Sequence, residues 1–179
     1  MKLDIEPIRT DSRFWQQIHT LAKEAFPPEE YLPPEKLVDM AQSPDFDYLA
    51  LTDGDAFVGF LAVQLYRDLS YLFFLAIDPA QRSRGYGSQA LEVLKDRYPD
   101  KQQVVDFEIV DPKAANYSQR LKRKAFYLRS GYRETGLFLS YFGVNYEVMC
   151  RGRDFSEEAF RELMLHLPVE GFNPKFYHK

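Results

Sequence analysis

The sequence predicts an α/β fold in which helices flank a mixed, largely antiparallel sheet, and three observations carry that expectation. Three strand-like stretches, FDYLALTD, AFVGFLAVQLY and YLFFLAID, follow one another between residues 46 and 78. Only the short turns at Asp53-Gly54-Asp55 and Arg67-Asp68 separate them, and strands joined so closely pair antiparallel. A helical stretch from Gly85 to Tyr98 then precedes a further strand pattern at 103–110, and a crossover of this kind makes the strands on either side of it parallel. Lastly, 179 residues suffice for one good core, so a single domain over 1–179 is expected.

Each element has its own signal. Residues 3–8 alternate as a short strand. Asp11 or Ser12 is placed to cap a helix that puts Trp15, Ile18, Ala22 and Ala25 on one face, and Phe26-Pro27-Pro28 stops it. Pro34 suits the first position of a short helix using Leu37 and Met40. From Gly85 on, Gly87, Leu91, Leu94 and Tyr98 form a stripe that ends at Pro99. A helix over 118–130 closes at Gly131, and two strands, 137–142 and 145–150, meet near Gly143. Asp154 with Glu157 forms a capping box for a last helix carrying Phe160, Leu163 and Leu167.

Composition narrows the function. A formal charge of −4 leaves no cationic footprint for nucleic acid, so any phosphate recognition must be local. The single cysteine, Cys150, allows no intramolecular disulfide and fits a reducing cytoplasm; it reads as a buried strand residue. Neither a signal-peptide pattern nor a run of about 20 apolar residues is present, so no membrane partner is expected. His19, His166 and His178 have no metal-ligand spacing with that cysteine, so no metal is expected. Aromatic residues reach 16%, a surplus that chiefly supplies buried core area.

The chemistry concentrates in LAIDPAQRSRGYGSQALEVL. A buried strand ends at Asp78-Pro79, a basic loop follows, and Gly85 and Gly87 open an amphipathic helix. A helix start presents unpaired N–H groups and partial positive charge, worth ~0.3–1 kcal/mol toward an anion, and glycines let phosphate reach the backbone. Arg82 and Arg84 add charge. The run Gly85-Tyr86-Gly87-Ser88-Gln89-Ala90 also fits a dinucleotide fingerprint, with Asp106 near the place of a ribose-binding acid. That fingerprint starts at the strand end, whereas six residues separate Asp78 from Gly85, and alternation makes Asp106 an ordinary strand residue.

Arg82, Gly85 and Gly87 in this context resemble the coenzyme A signature of the GCN5-related N-acetyltransferase (GNAT) family, and the element order resembles that family over nearly the whole chain. The resemblance implies an acyl-CoA N-acyltransferase fold, its sheet splayed between two central parallel strands. It implies acetyl-CoA as co-substrate, bound by the backbone of Leu75, Ala76 and Ile77 and by the turn of Arg82, Ser83, Arg84, Gly85, Tyr86, Gly87 and Ser88. Tyr127, four residues before Gly131, matches the family's general acid. Glu108 on the following strand is the candidate base. Asn116 stands in for a coenzyme-contacting asparagine whose usual place Arg120 occupies. The acceptor pocket of relatives maps to 26–36, where Glu29, Glu30 and Tyr31 suit a cationic primary amine on a small molecule, a lysine or a protein N-terminus. Such an enzyme acts as a monomer or homodimer; a non-catalytic acyl-CoA-binding sensor module is the alternative. The run Arg120–Lys124 reads as a solvated helix face or a contact to coenzyme phosphates.

Overall fold

In the computed structural model, which describes residues 3–179, one sheet runs in the order β1-β2-β3-β4-β5-β7-β6-β8. The strands are β1 (Asp4–Pro7), β2 (Phe46–Asp53), β3 (Ala56–Tyr66), β4 (Leu69–Ile77), β5 (Gln102–Glu108), β6 (Arg133–Tyr141), β7 (Val144–Arg151) and β8 (Lys175–His178). The helices are α1 (Trp15–Ala25), α2 (Pro34–Met40), α3 (Tyr86–Arg97), α4 (Tyr117–Arg129) and α5 (Glu157–Leu165). The expected parallel pair is β4 with β5, joined through Leu69–Tyr71 against Gln102–Val104. The chain divides into two compact units, Met1–Leu65 with Leu72–Pro99 and Tyr66–Tyr71 with Asp100–Lys179.

In the first unit, α1 buries Ile18, Leu21 and Ala22 against Leu37 and Met40 of α2 and against Phe46, Tyr48 and Phe60 of the sheet. The helix ends where expected, because Pro27 forces Phe26 into extended backbone (φ −124°, ψ 136°). Its start differs from expectation. Ser12 Oγ accepts from the Arg9 N–H at 2.8 Å and closes a turn ahead of the helix, so the N-cap is Phe14, with no side-chain cap. Gly59 on β3 faces a close approach: a Cβ there would lie 2.1 Å from the Ala76 carbonyl of β4. That contact fixes how tightly β4 lies against β3 just before the phosphate-loop candidate.

In the second unit, β5, β7, β6 and β8 pair antiparallel in that order. Strand β6 starts at Arg133, four residues earlier than its apolar pattern suggests, because pairing with β7 recruits the polar Arg133-Glu134 through a register shift before Phe138. Helix α5 starts at Glu157 with Ser156 as its cap, whose Oγ accepts from the Ala159 N–H; the expected Asp154 capping box does not form. Strand β8 was not expected. Its four residues are too few to carry a period of two by themselves, and only pairing with β6 defines it.

Candidate active site

The phosphate-loop candidate lies in the first unit. Asp78 Oδ1 accepts from the Ala80 N–H at 2.9 Å and starts a short 3-10 turn, Pro79–Gln81. Ser83 then takes φ +65° and Gly85 φ +79°, two left-handed residues that turn the chain into α3. The side-chain-free Gly85 is the N-cap, and no side chain caps the helix start. A helix start of this kind directs its first backbone N–H groups toward an anion. Arg82, Ser83, Arg84, Gly85 and Ser88 are exposed around that start. Arg82 Nε donates to the Ile77 carbonyl at 3.3 Å, tying the loop back to the end of β4.

Tyr86 takes a different part from its neighbours. Its ring is buried, and its hydroxyl donates to Asp53 Oδ2 of β2 at 2.6 Å, so its side chain fixes where the helix begins. On β4, Leu75 and Ile77 are half-buried and Ala76 is buried. Glu29 is exposed, whereas Glu30 and Tyr31 are half-buried in the connection between α1 and α2, where Tyr31 packs on the core. The buried Tyr48 hydroxyl of this unit finds no hydrogen-bond partner among the described residues.

In the second unit, strand alternation sends Phe107 and Asp106 to opposite faces of β5. On the Phe107 side, the Tyr127 ring stacks on Phe107 (5.4 Å between centroids, 7° between planes) and meets Phe126 and Tyr132 edge-on. It is the buried residue of α4. Burial holds its phenol well above the ordinary tyrosine range, so it stays protonated, and no partner for its hydroxyl is found among the described residues.

Glu108 and Asn116 come together around Arg120. Arg120 donates to Glu108 Oε2 at 2.6 Å, to the Ile109 carbonyl at 3.0 Å and to Asn116 Oδ1 at 2.8 Å. Asn116 Nδ2 and Arg123 both donate to the other Glu108 oxygen, each at 3.4 Å. Both Glu108 oxygens and the Asn116 amide are thus spent on fastening the start of α4 to the end of β5. The basic run is tied up in the same way, since Lys124 pairs with Glu134 (3.0 Å) and Glu147 (2.9 Å).

Asp106 departs from the expectation of an ordinary strand residue. One carboxylate oxygen accepts from the Tyr71 hydroxyl at 2.6 Å and the other from the Tyr141 hydroxyl at 2.9 Å. Burial raises its pKa from an ordinary 3.8 to about 6, a desolvation effect that the two hydroxyls only partly offset. Sequence periodicity carries no trace of this, because the two donors come from β4 and β6, 35 residues away on either side. Cys150 is buried and its thiol is pushed up to about 11, so it is no thiolate at neutral pH. Among the described residues, no group of three His, Cys, Asp or Glu side chains is arranged to hold a metal.

Comparison with known proteins agrees with this layout. The sequence model of the acetyltransferase (GNAT) family matches residues 15–132. Among solved structures, a GNAT-family protein from Bacteroides thetaiotaomicron is 26% identical, with TM-score 0.74 over 95% of this chain and 99% of that one. The ribosomal-protein-S18-alanine N-acetyltransferase of Escherichia coli is 18% identical (TM-score 0.61, 87% and 97% covered). An acetyl-CoA-bound GNAT acetyltransferase from Elizabethkingia anophelis is 11% identical (TM-score 0.57, 85% and 99% covered). No curated protein matches the chain in sequence. The chain belongs to the GNAT acetyltransferase family, and its enzyme class is that of an acyltransferase.

Proposed function

We propose that this protein transfers acetyl from acetyl-CoA to a primary amine by direct transfer. The observation that carries the reading is the uncapped α3 start behind Ser83 and Gly85, with Arg82 and Arg84 exposed beside it. Coenzyme pyrophosphate is the anion that such a start accepts, through the backbone N–H groups of Gly85, Tyr86, Gly87 and Ser88. The acetyl-CoA held by the Elizabethkingia relative supports the same choice. Leu75, Ala76 and Ile77 supply backbone groups to the pantetheine arm, and bound coenzyme supplies a thioester activated for acyl transfer.

Tyr127 is the proposed acid for the departing thiolate. Its protonated hydroxyl, for which no partner is found among the described residues, supports this. Glu108 is less suited to the base role that its strand position suggests, since Arg120 and Arg123 compensate its charge; with Asn116 it serves to hold α4. The buried, protonated Cys150 speaks for transfer without an acetyl-enzyme. Glu29, Glu30 and Tyr31 border the acceptor entrance in this reading. The amine class rests on relatives such as the alanine N-acetyltransferase of Escherichia coli. Release of coenzyme thiol from acetyl-CoA, followed against a panel of small amines and peptide N-termini, tests the proposal. Amine-dependent release is the expected result, and release that no amine accelerates would favour a coenzyme-binding module instead.

A further inference from the structure

Asp106 is the carboxylate in the second unit whose surroundings ask for a ligand. Among the described residues it has no cationic partner: the groups acting on it are the hydroxyls of Tyr71 from β4 and Tyr141 from β6, with Tyr127 of α4 at longer range. From α5 it is Phe160 that packs on Tyr71, and in the register of β7 Val148 lies opposite Asp106. No lysine, arginine or histidine side chain is among these neighbours. Several other acids of the unit are matched to bases, as Glu108 is to Arg120, Glu147 to Lys124 and Glu157 to Arg161. Yet Asp106 is not sealed, and it retains part of its solvent-exposed surface.

The walls of the site are aromatic. Tyr141 stacks face to face on Tyr146 (centroids 4.0 Å apart, planes 7°) and lies 4.9 Å from Phe172. Tyr71 is itself buried against Phe160 at 5.8 Å. A fixed carboxylate that no base neutralises attracts an ammonium group by charge-assisted hydrogen bonding. The same walls disfavour an anion or a large polar head, which would lose solvation without gaining a partner.

We infer that Asp106, held by Tyr71 and Tyr141, seats the protonated amino group of the acceptor and decides the preference for amines. This deepens the amine-acetylation reading, on which it rests, by naming the chemistry that selects the acceptor. Tyr71 and Tyr141 are positioning residues, and each fixes one oxygen of the carboxylate.

The test is calorimetric titration of the full chain with phenethylamine and with its neutral counterpart phenethyl alcohol, for the native protein, Asp106→Asn and Tyr141→Phe. The native protein should bind the amine at least tenfold more tightly than the alcohol at pH 7.5. Asp106→Asn should remove that preference, and Tyr141→Phe should reduce it. Lowering the pH from 7.5 to 5 should weaken amine binding to the native protein about tenfold, since about a tenth of a carboxyl titrating near 6 remains ionised there. This arm needs no variant to fold. Equal binding of amine and alcohol, or an unchanged preference in Asp106→Asn, would overturn the inference. A parallel titration with acetyl-CoA keeps the two readings apart, because amine selectivity without acetyl-CoA binding would sink the transfer reading and leave this site standing.

Discussion

Burial lifts Asp106 to about 6 although two tyrosine hydroxyls donate to it, so desolvation outweighs both hydrogen bonds. The folded protein therefore holds this proton more tightly than the unfolded chain does. Stability from this group is present below about pH 4, is lost as pH rises toward 6, and stays lost at neutral pH. About two pK units correspond to roughly 3 kcal/mol at about 1.4 kcal/mol per unit. Asp106→Asn should thus raise the thermal midpoint by several degrees at pH 7.5 and by little at pH 4, measured by circular dichroism melts. A lower midpoint at pH 7.5 would mean that the carboxylate is structural. Tyr127→Phe should leave the stack on Phe107 intact and lower kcat about 100-fold with KM nearly unchanged, read by steady-state thiol release. An unchanged kcat would remove Tyr127 from the chemistry. The candidacy of Tyr127 rests on a fixed spacing to Gly131, a local mark, whereas the setting of Asp106 leaves none: its donors meet it only through tertiary pairing.

At the scale of elements, the strands β2 and β3 were readable to the residue and the helix α2 at its start, because turn residues bound two apolar runs and Pro34 suits a first helical position. What escaped was set from outside the element. The N-caps of α1 and α5 fell to Phe14 and Ser156 rather than to Asp11 or Ser12 and to Asp154, since a turn at Arg9 claimed the Ser12 side chain and Ser156 capped α5. β8 exists only through β6. The close approach of β3 to β4 makes a sharp prediction. In Gly59→Ala the new Cβ would collide with the Ala76 backbone, and the urea midpoint should fall by the equivalent of about 3 kcal/mol or more. Gly85→Ala, whose Cβ meets open space at φ +79°, should lose only the ~1–2 kcal/mol of left-handed strain. Similar losses in the two variants would show that the approach is not tight.

For the whole molecule, the polar turn of the first unit and the buried thiol of the second both fit an enzyme that never carries the acyl group covalently. Incubation with acetyl-CoA alone should accordingly leave the intact mass unchanged, and a mass gain of one acetyl on Cys150 would contradict direct transfer. The family was legible in the sequence because glycines and arginines at fixed spacing leave a local mark. The acceptor was not, because the seat proposed for it at Asp106 is assembled from distant strands.

Calorimetric titration with acetyl-CoA, and separately with NAD, tests the central claim most directly, comparing the native chain with Gly85→Glu and with Gly85→Ala. The account predicts that acetyl-CoA alone binds, that the glutamate abolishes binding by placing a negative charge at the helix start, and that the alanine, with the same backbone strain and no charge, largely retains it. No binding of acetyl-CoA, a preference for NAD, or equal affinity in native chain and Gly85→Glu would contradict the assignment of the turn.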